Sequence, residues 1–120
     1  MDLLRRPSAS LIMVCMCALT LLRPAVAAEQ WITSKIFAVY PLSNGNFVLI
    51  FNDDHPACTS TANPKYYYVS VGQNGITEEG RTALLAVATA AAASKSDVSV
   101  AFDDGTDACY VNRIWAELGE

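Results

Sequence analysis

The apolar run from Leu11 to Leu22 decides which part of this chain has to fold. Arg5 and Arg6 precede it and the small residues Ala25-Val26-Ala27 follow it. That is the order of a secretory signal peptide: a positive start, an apolar middle and a small-residue cleavage site. Residues 1–27 are read as this leader, and cleavage after Ala28, using Val26 and Ala28, is nearly as well specified. A membrane anchor is the competing reading, but a span needs about 20 apolar residues and Arg23 and Pro24 interrupt this run. No stable membrane insertion is therefore expected. Lipid attachment is also disfavoured, because Cys15 follows Val14 and Cys17 follows Met16 in mid-run, whereas acylation sites want a small residue before the cysteine.

Residues 28–120 then form one domain, large enough to hold a core without several staples. The chain has a formal charge of −4, and loss of Arg5, Arg6, Arg23 and Asp2 deepens it by two. Only Lys35, Lys65, Arg81, Lys95 and Arg113 remain as basic groups, so a nucleic-acid partner is disfavoured. Of the four cysteines, Cys58 and Cys109 survive removal of the leader. Two thiols in an oxidising compartment admit a single intramolecular pairing, so a Cys58–Cys109 disulfide is predicted. It closes a loop of about 50 positions, worth about 4 kcal/mol in the chain-entropy account. An exported protein, periplasmic or extracellular, is the matching location.

Along the mature chain, Trp31 to Tyr40 is rich in β-branched and aromatic residues and ends at Pro41, as a first strand does. Ile32 and Ile36 fall on one face and Phe37 and Val39 on the other, so this strand is expected to be covered on both sides. Asn44-Gly45 between two apolar runs predicts a tight hairpin in which both central residues tolerate positive φ. Phe47 to Phe51 is the second strand, and a polar loop holding Cys58 runs on to Pro64. Lys65 to Val71 alternates, which predicts a third strand with Tyr67, Val69 and Val71 inward and Tyr66 and Tyr68 outward. Gly72 to Gly75 turns the chain. Thr77 then caps a helix from Glu78 to about Ser94, with Glu78 and Glu79 in its first turn and Leu84, Val87, Ala88, Ala91 and Ala92 on one face. Asp97 to Phe102 is a fourth strand. Cys109 to Leu118 is a fifth, with Ile114, Ala116 and Leu118 on one side and Arg113, Trp115 and Glu117 on the other.

The order β-β-β-α-β-β, with a tight first hairpin and one helix between the third and fourth strands, is the connectivity of the OB-fold. This is a mainly β, five-stranded barrel whose helix closes one end. A two-layer α+β roll is the competing architecture.

The export leader, the strand ending in the Asp53 to Cys58 loop, the Leu84-Leu85-Ala86-Val87-Ala88 helix, the Val98 to Phe102 strand and Cys109 ahead of Ile114 to Leu118 together resemble a known group. They are similar to small exported bacterial OB-fold proteins that resemble the receptor-binding B subunits of pentamer-forming toxins, of the subtilase cytotoxin type. The resemblance implies a non-catalytic module that recognises a glycan or a protein surface and assembles as a homo-oligomer.

Candidate chemistry is sparse. His55 is the one histidine, lodged between Asp54 and Pro56, and no Gly-x-Ser-x-Gly turn accompanies it. A turn role is expected, and not an enzyme. Asp53, Asp54 and His55, and likewise Asp103, Asp104 and Asp107, lack the ligand alternation of a calcium loop, so neither metal nor cofactor is expected. Tyr66, Tyr68, Arg113, Trp115 and Glu117 are the candidate binding surface, an outward aromatic platform on the barrel wall. The alternative function is an envelope enzyme inhibitor or structural partner that acts through the loop 52–64.

Overall fold

The computed structural model describes residues 27–119, so the leader read over residues 1–27 lies outside the described residues except for Ala27. Among the described residues five strands and one helix follow in the order β1 (Glu29–Pro41), β2 (Phe47–Phe51), β3 (Tyr67–Val69), α1 (Glu78–Ser94), β4 (Asp97–Asp103) and β5 (Val111–Ala116). The architecture is mainly β, an open antiparallel sheet in the order β3-β2-β1-β4-β5. One disulfide, Cys58–Cys109, ties it across 51 positions, with both cysteines buried.

β1 is the organising element because it is long enough to serve two partners. Glu29 to Lys35 pairs with β4, and Ile36 to Pro41 pairs with β2. Between the two halves the register slips at Phe37, and this slip overturns the expectation of a strand covered on both sides. An extra residue at a bulge reverses the inside-outside alternation. Ile32, Ile36 and Val39 therefore all pack on the same core, while Phe37 is left 67% exposed.

The hairpin after β1 also differs in detail. Gly45 alone takes positive φ, at 89°, and the Asn44 side chain instead accepts the Asn46 amide at 3.1 Å. With the Leu42 amide donating to the Asn46 carbonyl, this is a longer loop with a left-handed glycine near its end. β3 is shorter than expected because its flanking amides leave the ladder: Tyr66 N donates to Ser60 Oγ and Val71 N to Asn46 Oδ1. Val71 consequently turns outward rather than inward, and Leu118, beyond the end of β5, is exposed too.

Helix α1 begins where the cap rule places it. Thr77 Oγ1 accepts the Gly80 amide at 3.0 Å, and Lys95 in the left-handed conformation ends the helix, its amide reaching the Ala91 and Ala92 carbonyls. Ala88 and Ala91 are fully buried against the core, with Leu84 and Leu85 packed beside them. Small side chains let the helix lie close on β1 and β5. Arg81 ties its first turn to the hairpin by donating to Asn46 Oδ1 at 3.1 Å.

The core centres on Phe47, Leu49, Phe51, Tyr67, Val100 and Phe102. At the far end of β1, the Asp104 carboxylate accepts the Ala28 amide at 2.8 Å and the Gln30 side-chain amide at 3.0 Å. These two bonds, the Ala28 amide first, hold its pKa below the ordinary carboxylate value. A pKa lower in the folded state gives a contribution that is present above the unfolded value and lost as pH falls through the folded one. We expect the Asp104 carboxyl carbon to titrate by NMR below an ordinary aspartate. On acidification, amide exchange at Gln30 and Trp31 should rise before that of β2. An Asp104→Asn protein should show no such acid step.

Candidate functional site

The residues singled out as one outward platform are divided by the structure between two separate surfaces. Tyr66 and Tyr68 belong to one, and Arg113, Trp115 and Glu117 to the other.

The first surface is a row of tyrosines. Across the ladder Val48 lies between Tyr40 and Tyr68, so all three point away from the core on one face. Val48 is nonetheless only 1% exposed, which identifies the rings as its cover. Tyr40 stacks on Tyr66 with centroids 6.2 Å apart, and Tyr66 meets Tyr68 at 6.3 Å with their planes inclined by 67°. Tyr68 meets Tyr110 at 6.5 Å and 63°. Beside the last three rings is a depression of about 440 Å³, lined also by Ser60, Thr61, Ala62, Asp107 and Ala108. Two loops from distant parts of the chain reach it because the disulfide joins them, and the Tyr68 amide donates to the Ala108 carbonyl at 3.2 Å. Asn74 Nδ2 holds the Tyr110 carbonyl at 2.8 Å.

The second surface lies on the outer face of β1, β4 and β5. Ala101 sits between Trp31 and Arg113 across the ladder, and the Arg113 guanidinium lies 5.4 Å from the Trp31 ring centre. That cation-π contact covers Ala101, which is fully buried although it faces outward. Arg113 also pairs with Glu29 at 2.8 Å, an exposed pair that orients the guanidinium and adds little stability. One step along, Ser99 sits between Thr33 and Trp115, and the two hydroxyls bond at 2.8 Å. Trp115 is 62% exposed and forms one wall of a depression of about 360 Å³. Its other lining residues are Thr33, Ser96, Asp97, Ser99, Glu117 and Gly119. Asp97 is held by Lys35 Nζ at 2.7 Å.

The residues that the strand periods do not mark as part of a site are Tyr40 and Tyr110 on the first surface and Trp31, Thr33 and Ser99 on the second. Tyr110 was within reach, since it follows Cys109, whose predicted partner Cys58 begins the loop leading to Tyr66. The β1 residues needed the β1–β4 register, which leaves no local signal.

The groups weighed for chemistry have structural occupations. His55 Nδ1 accepts the Ala57 amide at 3.0 Å, its ring packs on Phe102 at 5.3 Å, and its amide donates to the buried Tyr67 hydroxyl at 2.9 Å. Burial raises the Tyr67 pKa, with that amide bond pulling the other way. Asp54 accepts the Lys65 amide, and Asp103 the Gly105 amide. Among the described residues no three His, Cys, Asp or Glu side chains gather as a metal site would require.

Fold and surfaces together define a disulfide-tied β domain that displays two aromatic depressions on its outer wall. Comparison with protein-family models, with curated proteins and with solved structures finds no match to this chain.

Proposed function

We propose that the chain is an exported, non-catalytic binding module of the OB-fold type, and that it recognises a glycan through the Trp115 face. The barrel reading draws on the element order and on the Tyr68–Ala108 bond, which brings the outer edges of the sheet towards each other. The export reading draws on the leader and the disulfide. Among the described residues, no helix is long and apolar enough to cross a membrane. Cleavage after Ala27 would set the new α-ammonium of Ala28 where its amide now meets Asp104.

The observation that carries the glycan reading is the exposed Trp115 ring beside the paired Thr33 and Ser99 hydroxyls and the Asp97 and Glu117 carboxylates. An indole face takes the apolar C–H side of a sugar ring, while hydroxyls at its edge donate to and accept from the sugar hydroxyls and carboxylates accept from them. A likeness to toxin B subunits, including assembly as a homo-oligomer, is consistent with this use and belongs to the same proposal. The alternative, an envelope inhibitor or structural partner acting through the loop 52–64, has less support. Cys58, the His55 amide and Ser60 Oγ anchor that loop inward to Cys109, Tyr67 and Tyr66.

A glycan array probed with the mature protein is expected to give a defined set of bound sugars, and Trp115→Ala to lose at least tenfold in signal while keeping its melting temperature. Binding that survives unchanged in a Trp115→Ala plus Tyr66→Ala protein, or an array with no bound sugar, overturns the reading.

A further inference from the structure

The tyrosine depression differs in shape from the Trp115 face, and it does not offer a flat platform. We infer that Tyr66, Tyr68 and Tyr110 form a receptor for an ammonium group carried on a saccharide, that is, for an amino sugar. This inference stands on its own residues and is independent of the Trp115 reading.

Three observations lead to it. The successive ring planes are inclined by 67° and 63°, so the rings are angled walls and not a continuous stacking surface. A cation is attracted to an aromatic ring within about 6 Å of its centre. With centroids 6.3 and 6.5 Å apart, one compact cation in the angle of the walls is within reach of neighbouring rings together. The Tyr40 ring stacks behind Tyr66 and fixes its tilt.

The charge of the site points the same way. Asp107 is the one ionisable group besides the phenols in the lining, and no lysine, arginine or histidine is among the lining residues. Lys65, the neighbour of Tyr66 in the chain, is turned aside with its ammonium donating to the His55 carbonyl at 3.1 Å. An anionic ligand would meet the Asp107 carboxylate with no compensating cation in the lining, whereas an ammonium gains from both the carboxylate and the rings.

The size and the remaining lining name the carrier. A space of about 440 Å³ is several times what an ammonium group fills, and Ser60 and Thr61 add hydroxyls to its wall. Among the described residues, the Tyr66, Tyr68 and Tyr110 hydroxyls make no hydrogen bond to protein, unlike the buried Tyr67 hydroxyl. They are free to bond a polyhydroxylated body.

The test titrates the disulfide-intact protein with tetraglucosamine, with the fully N-acetylated tetramer of the same backbone, and with tetramethylammonium chloride. Tetraglucosamine is expected to bind at least tenfold more tightly than its acetylated counterpart, and its affinity to fall as salt is added. Tetramethylammonium should bind weakly at the same residues by NMR shift. Tyr68→Ala should abolish binding. Asp107→Lys, at an exposed position that leaves the fold intact, should lower tetraglucosamine affinity at least tenfold without lowering that for the neutral tetramer. Equal affinity for the two tetramers, or tetraglucosamine binding retained in Asp107→Lys, overturns the inference. Binding of tetramethylammonium with none of tetraglucosamine overturns the saccharide part of it.

Discussion

Replacing Cys58 and Cys109 together by alanine is expected to lower the melting temperature by about 15–30 °C. The bond closes a 51-position loop. In the chain-entropy account, denying the unfolded chain that freedom is worth about 4 kcal/mol. For a domain of this size each kcal/mol moves the midpoint by about 4–8 °C. Both positions are buried, so the double replacement also leaves a small cavity while sparing the protein an unpaired thiol. Thermal melts of the double variant, with chemically reduced wild type beside it, measure the effect. A fall of under about 5 °C would mean that the unfolded chain is already confined without the bond. The same variant carries a functional expectation, because the bond is what holds the loop of Ser60 and the loop of Asp107 at one depression. Ligand binding at the tyrosines should weaken more than binding at Trp115, whose lining comes from strands and their ends.

Phe102→Ala is expected to cost about 4 kcal/mol, within the range of roughly 3–5 for a buried phenylalanine truncated to alanine. Phe102 is fully buried on β4, with the Tyr67 ring 5.2 Å away and the His55 ring 5.3 Å away, both edge-on. Tyr67 in turn meets Phe51 at 5.0 Å. Removing the central ring takes away the transfer energy and the edge-to-face contacts, and the sheet cannot close around the gap without moving the disulfide loop. Urea unfolding at unchanged slope measures the cost. Admitting water beside Tyr67 should also bring its pKa down towards the ordinary phenol value, since burial is what raises it. A cost under about 1.5 kcal/mol would show that the neighbouring rings collapse into the space. Trp115→Ala is the matching control, expected to stay within about 0.5 kcal/mol because its ring is largely in solvent.

How far the sequence could be read follows from the range of each signal. The start of α1 came from local chemistry, Thr77 as cap and two glutamates in the first turn, and its end near Ser94 from where the helical pattern stops. β2 and β4 carried short-range patterns that survive in the structure, and the disulfide needed only a count of cysteines. The alternation rule failed at two places for the same reason. At Phe37 one extra residue reversed the facing of everything beyond it. At Val71 the amide found a side-chain acceptor, Asn46 Oδ1, and left the ladder. Neither event has a marker within a few residues of its position.

The candidate site was half legible. Every aromatic named as outward does reach the outer wall, because the period of a strand sets its facing. Which of them stand together was not legible. The pairing of Tyr68 with Tyr110, and of Trp31 with Arg113, depends on registers between segments far apart in the chain.

The amino-acid sequence by itself determined the covalent tie, the helix and its ends, the apolar strands and the sign of the charge, all of which rest on residue identity and near neighbours. Only the tertiary structure decided that β1 serves two partners through a bulge, that Val48 and Ala101 are buried on the outward face, and that the aromatic residues divide into two depressions. The physical reason is that side chains on neighbouring strands meet according to the register of the hydrogen-bonded ladder, and that register is chosen by the packing of the whole core.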